Sequence, residues 1–334
     1  MTNLLILGGT AWLGRELARQ AVASGIDVTC LARGASGPVA DGAQLIPADR
    51  SELSAYEHVR GRDWDAVIDV SWQPDQVRSA LDALAADVGH WTCVSSVSVY
   101  ADTTTPRANE AAALVEPLTS GLATMAEYGE AKVGCEQLVT AGMGADRSLL
   151  ARVGLIGGPG DPTDRFGYWV SRFALASTDA VLVPEAPGLS TQVLDVRDLA
   201  AFLLVCSGER ATGPVDVVGE SVPFSDVVDM SARIAGFAGR AVRVAPQWLE
   251  DREVQPWAGP RSLPLWLPLP EYAGLGTRSD ARAVELGLLR RPLASSLAEV
   301  LLDERLRGLD RSRRAGLTRA EELDLIEQCA GRHQ

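Results

Sequence analysis

The stretch NLLILGGTAWLGRELARQAVASGIDVTCLARG, residues 3 to 34, constrains the fold more than any other. Leu4 to Leu7 form an apolar run of strand length. Leu13, Leu17 and Ala21 then recur at helical spacing, Gly25 ends that helix, and Ile26 to Leu31 make a second strand. Two strands joined by a helix within about 30 residues form a βαβ unit, whose strands run parallel in one sheet. Strand-like runs recur at Gln44–Ile46, Ala66–Val70, Trp91–Val94 and Leu149–Val153, with helical segments at Gln76–Val88 and Met125–Val139. The alternation predicts an α/β fold with a doubly wound parallel sheet. A further helix from Val196 has Asp195 as its N-cap and carries Leu199, Phe202, Leu203 and Cys206 on one face. It leads into a strand, Val215–Val218, expected in the same sheet.

The remainder reads differently. Prolines interrupt residues 157–190 and 220–290, which predicts a smaller, irregular C-terminal lobe covering a pocket. The expected division is therefore residues 1–156 plus 191–219 as a nucleotide-binding half, and 157–190 plus 220–334 as a substrate lobe with C-terminal helices. The charged stretch from Asp303 to Glu322 reads as a solvated helical face.

With 334 residues, 46% of them hydrophobic, the chain can bury a sizeable core. No apolar run reaches the roughly 18 residues of a membrane span, and no basic leader precedes the first strand, so a cytoplasmic protein without a membrane partner is expected. Cys30, Cys93, Cys135, Cys206 and Cys329 are scattered without a C-x-x-C pair and read as small core fillers. His58, His90 and His333 form no cluster, which argues against a histidine metal site or a Ser-His-Asp hydrolase. A formal charge of −13 disfavours the phosphate-neutralising surface that nucleic acid requires. A small-molecule substrate is the expected partner, with no metal.

Chemistry is indicated in three places. The turn after the first strand, ILGGTAWLG, resembles a dinucleotide-binding glycine loop with Ala11 at the middle glycine position. Such a loop binds pyrophosphate because backbone N–H groups at a helix N-terminus face the anion, while glycines permit the tight turn and close approach. Gly8, Gly9 and Gly14 supply these features, and an alanine methyl is small enough for the loop to survive. The second strand ends Leu31-Ala32-Arg33-Gly34 with no carboxylate to hold a ribose 2′-hydroxyl, so NADP is preferred to NAD, with Arg33 facing the 2′-phosphate. The expected cofactor-binding set comprises Gly8, Gly9, Thr10, Trp12, Leu13 and Gly14 on the loop and Arg33, Asp49 and Arg50 after the second and third strands. Val70 and Ser71 after the fourth strand and Lys132 complete it.

Lys132 is the only lysine among 31 basic residues. It lies four residues after Tyr128 in YGEAK, a coincidence that random placement produces in roughly 5 of 334 cases. On a helix the two share a face. A free phenol, with a pKa near ~10, is a poor acid or base at neutral pH, and a neighbouring ammonium stabilises its anion. Such a tyrosine can exchange a proton with a carbonyl or hydroxyl oxygen while hydride moves at the attached carbon. In VSSVSVY, Ser96 is placed to donate a hydrogen bond to the same oxygen, with Ser95 and Ser98 competing for the role.

Glycine loop, SSVSVY and YGEAK, in this order, resemble the extended and atypical branches of the short-chain dehydrogenases/reductases, the group called NAD-dependent epimerase/dehydratase. The resemblance covers most of the chain and implies a Rossmann-like fold. It also implies Tyr128 as catalytic acid or base, Lys132 on the nicotinamide ribose and Ser96 on the reacting oxygen. A homodimer through the helices near residues 76–88 and 125–139 is a further expectation from the resemblance. Two departures narrow the activity. Sugar-nucleotide dehydratases carry Asp-Glu where this chain has Val97-Ser98, and sugar-nucleotide epimerases carry Asn and Tyr where it has Leu155 and Gly157. The resulting expectation is an NADP-dependent oxidoreductase acting on a carbonyl or hydroxyl of a small molecule. The alternatives are an epimerase that retains NAD(P) and a non-catalytic NADP- or RNA-binding scaffold. For the substrate side, Ser98 and the stretch DRFGYW, with Asp164, Arg165, Phe166, Tyr168 and Trp169, are candidates. Trp12, Trp72, Trp257 and Trp266 read as a lid or wall.

Overall fold

A computed structural model describes residues 1–52 and 54–330; His333 lies outside the described residues. The leading apolar run is β1 (Asn3–Leu7), followed by α1 (Trp12–Ala23), β2 (Asp27–Ala32), β3 (Gln44–Pro47), β4 (Ala66–Asp69), α2 (Pro74–Leu84), β5 (Trp91–Ser96), α3 (Tyr128–Met143) and β6 (Ser148–Val153). The chain then leaves the sheet through β7 (Leu155–Gly157), α4 (Tyr168–Ala176), β8 (Ala180–Pro184), β9 (Ser190–Asp195) and α5 (Val196–Gly208). It returns with β10 (Gly213–Val217). The main sheet has seven parallel strands in the order β10-β6-β5-β4-β1-β2-β3. The fold is Rossmann-like, as the alternation implied.

Strand pleating explains the two layers. Leu4 and Ile6 of β1 face a core shared with Leu17 of α1 and Leu199, Phe202 and Leu203 of α5. Leu5 and Leu7 face the opposite core, with Val77 and Leu81 of α2 and Cys135 and Val139 of α3. The chain reverses winding direction between β1 and β4, and open α/β sheets bind ligands in the crevice at such a switch point.

The second half departs from expectation in three ways. The lobe is more regular than its prolines suggest. Three of them start elements rather than break them: Pro223 and Pro292 are the N-caps of α6 (Phe224–Ala235) and α9 (Leu293–Arg307), and Pro246 opens α7 (Pro246–Glu250). β11 (Ser221–Pro223), β12 (Arg240–Val244), β13 (Gln255–Trp257), β14 (Ser262–Pro264), α8 (Ala281–Glu285) and α10 (Arg319–Ala330) complete the element list. Secondly, β9, a strand not assigned from the sequence, pairs with β7 and β11 in a small sheet beside the main one.

Thirdly, the stretch Asp303–Glu322 is not a solvated face. Only its ends are helical, and Glu304 and Glu322 are buried. Glu304 accepts hydrogen bonds from Arg307, Arg311 and Arg313, and Asp164, left-handed at φ 61°, accepts from Arg307, Arg311 and the Arg314 backbone N–H. Glu322 is bound by Arg319 and Arg172. Burial pushes the Asp164 carboxyl up, but these donors outweigh it and hold it below the usual range. The contribution of Asp164 is therefore full at neutral pH and lost as pH falls below the ordinary aspartate value of about 4. Asp164→Asn is expected to lower unfolding free energy by about 2–3 kcal/mol at neutral pH, less than a fully buried pair because Arg307 and Arg311 are partly exposed. Urea unfolding should show this difference shrinking towards pH 3.5, and an unchanged neutral-pH midpoint would refute it.

Candidate active site

The glycine loop packs as its residue types demand. Gly8 sits at φ 109°, a conformation L side chains rarely adopt, and an added Cβ would lie 2.4 Å from Val70 Cγ2. At Gly14 a Cβ would lie 2.2 Å from the Gly8 carbonyl oxygen and 2.9 Å from the Gly9 Cα, so α1 rests directly on the loop backbone. Ala11 is the N-cap of α1 at φ −83°, ψ 170°, and its methyl is exposed. An extended conformation needs no glycine, so the interruption of the motif carries no strain. Ala11 has no side-chain acceptor to cap the helix, and the N–H groups of Trp12, Leu13 and Gly14 have no partner among the described residues. Two cavities meet over this helix end, with Ala11 and Val70 lining both.

The smaller cavity, about 390 Å³, lies beyond β2 and β3 and is lined by Thr10, Arg33, Ser36, Asp49, Arg50 and Ser71, among others. Arg33 is exposed and only loosely paired, 4.0 Å from Asp49 Oδ2. Asp49 otherwise accepts from the Ser51 N–H and hydroxyl, which hold its carboxyl below the usual range. Arg15, absent from the expected set, donates to the carbonyls of Thr10 (3.0 Å) and Ser36 (3.2 Å) and so brings a second guanidinium to the Arg33–Ser36 loop. Its position directly after Gly14 was the available signal. Arg50 lines this cavity but is already engaged. Its guanidinium is fixed by Asp69 at 2.7 and 2.9 Å, by the Gln76 carbonyl and by Tyr56 Oη, so that it also braces β4 against α2.

At the other end a cleft of about 840 Å³ opens over the ends of β5 and β6. Tyr128 and Lys132 stand in the first two turns of α3 and both line it. Lys132 is 3% exposed, and its Nζ donates to the carbonyls of Ser71 (2.8 Å) and Val94 (2.6 Å), at the ends of β4 and β5. An ammonium has three protons, so one remains on the cleft side, where Nζ lies 5.8 Å from the centre of the Tyr128 ring. Trp72 packs against the Tyr128 ring, centroids 5.5 Å apart. Ser96 and Ser98 both line the cleft, and the Ser96 hydroxyl donates to Ser98 Oγ while accepting the Ser98 N–H, each at 3.1 Å. Ser95 turns its hydroxyl onto buried Glu136 at 2.6 Å, away from the competition.

The proposed substrate wall is partly misplaced. Phe166, Tyr168 and Trp169 do not line the cleft: each is at most 1% exposed and packs into the lobe core, Trp169 against Phe173 and Phe224, and Phe166 against Val300 and Leu301. Asp164 serves the arginine cluster instead, and Trp266 is likewise core. Arg165 does reach the cleft, as do Trp12 and Trp257, and the Trp12 indole N–H donates to the Pro159 carbonyl at 2.9 Å. The remaining wall is mostly apolar, with Leu155, Val218, Leu265, Leu267, Tyr272 and Leu275, beside Ser190, Thr191 and Gln192. No described helix is long and apolar enough to cross a membrane, and no group of three or more metal-ligating side chains occurs among the described residues.

Among curated proteins no sequence matches this chain. Solved structures share its fold. A candidate epimerase from Burkholderia cenocepacia J2315 aligns with a TM-score of 0.70 at 20% identity, over 91% of this chain and 98% of that one. The UDP-Glc/GlcNAc 4-epimerase of Campylobacter jejuni aligns with a TM-score of 0.69 at 12% identity, over 92% and 100%. The UDP-glucuronic acid 4-epimerase of Bacillus cereus, in complex with NAD, aligns with a TM-score of 0.65 at 15% identity, over 92% and 100%. At these identities the likeness is one of fold. Residues 4–218, well over half of the chain, match the profile of the NAD dependent epimerase/dehydratase family, and the chain belongs to that family.

Proposed function

We propose that this protein is an NADP(H)-dependent oxidoreductase that interconverts a carbonyl and an alcohol on a small, largely apolar molecule, with Tyr128 handling the proton. The observation that carries this reading is Lys132, the chain's one lysine, held by two strand-end carbonyls beside Tyr128 with one proton left for the cleft. The site fits a dinucleotide. The unpartnered N–H groups at the start of α1 suit a pyrophosphate, and the cavities on either side suit its two nucleoside halves. When bound, nicotinamide supplies or accepts the hydride. In the reducing direction Tyr128 gives its phenolic proton to the substrate oxygen, Lys132 stabilises the phenolate left behind, and the Ser96–Ser98 pair fixes that oxygen by hydrogen bonding. Family membership and the 4-epimerases among the fold neighbours support hydride chemistry. The apolar wall, with Leu155 where nucleotide-sugar enzymes place Asn, supports a substrate other than a nucleotide sugar.

Two guanidiniums, Arg33 and Arg15, and the lack of a carboxylate at the end of β2 support NADP over NAD. Arg33→Ala is expected to weaken NADPH binding about 10- to 100-fold, the worth of a charge-assisted hydrogen bond, and to change NADH binding by less than about twofold. Equal losses in a fluorescence titration would remove the 2′-phosphate contact. The function itself is tested by offering NADPH and a panel of ketones and aldehydes to the purified protein and following NADPH absorbance. Oxidation supports the proposal. Nicotinamide absorbance already present in the purified protein, with no consumption of added NADPH, would establish the retained-cofactor epimerase instead. Retardation of RNA without cofactor binding would establish a scaffold.

A further inference from the structure

Arg165 has an unusual position for a guanidinium. It lines an apolar cleft whose lining includes Lys132 but no aspartate or glutamate, in a chain of net charge −13. Among the described residues its side chain makes one hydrogen bond, from Nε to Thr163 Oγ1 at 3.2 Å, and no carboxylate lies within ion-pair distance. Both terminal nitrogens are left without a partner. The carboxylate whose charge it feels most, Asp161, is buried and already accepts the Thr163 and Phe166 backbone N–H groups at 2.8 and 3.4 Å. Trp257 holds the guanidinium plane from one side, 4.9 Å from ring centre to Cζ, and the charge also reaches Tyr128. Burial pushes the guanidinium pKa down, as expected for a cation lacking a counter-charge. Four arginines whose side chains are buried are each matched by a carboxylate: Arg50 by Asp69, Arg152 by Glu136, Arg172 by Glu322 and Arg278 by Asp216.

We propose that Arg165 is the anion anchor of the cleft, and that the substrate is a monocarboxylate with an apolar body. A guanidinium presents two parallel N–H donors in the geometry of a carboxylate, and a stacking indole on one face leaves that edge free for a ligand. One carboxylate balances the cleft's unmatched arginine, while Leu155, Val218, Leu265, Leu267 and Leu275 enclose the rest of the molecule. The inference rests on the oxidoreductase reading for the identity of the reacting group, and adds that the carbonyl or alcohol belongs to an organic acid. Two of the three Lys132 protons go to the Ser71 and Val94 carbonyls, and the third serves the Tyr128 phenolate, which leaves Arg165 as the carboxylate's partner.

The test is a binding measurement, independent of turnover. Phenyl- and alkyl-substituted carboxylic acids of four to ten carbons and the matching primary amides are titrated by calorimetry into wild-type protein, Arg165→Met and Arg165→Lys, each with and without NADP⁺. The expected result is that acids bind wild-type protein roughly 10- to 100-fold more tightly than their amides, that Arg165→Met erases the preference, and that Arg165→Lys restores part of it. Equal binding of acids and amides, or no binding of any acid, overturns the proposal. So does a tenfold loss of NADP⁺ affinity in Arg165→Met, which would assign the guanidinium to the cofactor. If wild-type protein prefers acids but binds no NADP⁺, the anchor stands and the oxidoreductase reading falls.

Discussion

Tyr128→Phe should lower turnover by about 10²- to 10⁴-fold, the span of general acid–base contributions, while leaving NADPH affinity within about twofold. The substitution removes one oxygen and keeps the ring that packs near Trp72, so the local structure has no reason to move. Proton transfer to the substrate oxygen then falls to water, which must enter a cleft with a mostly apolar lining. The proton serves the reaction and not the ground state, so kcat should fall with little change in KM. Stopped-flow NADPH oxidation, with thermal melts to show intact folding, measures both. Normal turnover would remove Tyr128 from the chemistry and, with it, the reason for Lys132 to stand where it does.

The second large effect lies beneath the site. Glu136, one turn after Lys132 on α3, accepts from Arg152 of β6 through three contacts of 2.7 to 3.2 Å and from the Ser95 hydroxyl of β5. Arg152 also donates to Tyr100 Oη and the Glu110 carbonyl, and Tyr100 is linked through Asp216 to Arg278 of the lobe. Both members of the central pair are about 5% exposed or less. Glu136→Gln keeps the shape but leaves the Arg152 charge buried and uncompensated, and unfolding free energy should drop by about 3–5 kcal/mol. Replacing both, as Glu136→Leu with Arg152→Met, should recover most of it, because removing the pair also removes its desolvation. Urea unfolding of Glu136→Gln, of the two single replacements Glu136→Leu and Arg152→Met and of the double variant decides. A double variant as unstable as the sum of its parts would mean that the polar chain to Tyr100 and Ser95, not the ion pair, carries the stability.

Legibility in the sequence followed the range of the interaction. The βαβ unit, the glycine loop and the Tyr128–Lys132 pair depend on residues within one turn or one supersecondary unit, where period and spacing describe the geometry directly. Gly14 shows this well, since its contact with the Gly8 carbonyl lies inside the motif. Features that depend on distant partners were opaque. Arg50 sits where a cofactor contact is reasonable, but the groups that claim it are Asp69 and Gln76, 19 and 26 residues on. Phe166, Tyr168 and Trp169 looked like a pocket wall because their loop follows a strand end, yet Tyr168 and Trp169 begin a helix packed in the lobe core and Phe166, just before it, is buried against α9. Glu304 and Glu322 looked solvated because helical charge usually is; besides the same-helix neighbours Arg307 and Arg319, the arginines that bind them come from the loop after α9, Arg311 and Arg313, and from Arg172 of α4. The apolar wall from Leu265 to Leu275 has no period and is placed by tertiary contacts alone. Glu136 was within reach, being four residues after Lys132 on the same helix.

The order of strands also bears on how the chain matures. β6 is covered on its outer side only by β10, whose last residue is Val217, after an excursion of some 60 residues. During synthesis the half-built sheet therefore presents an unpaired backbone edge, Ser148 to Val153, until that distant strand has emerged from the ribosome. A fragment ending before residue 213 would keep that edge for good, and self-association of such truncated chains is the consequence to expect.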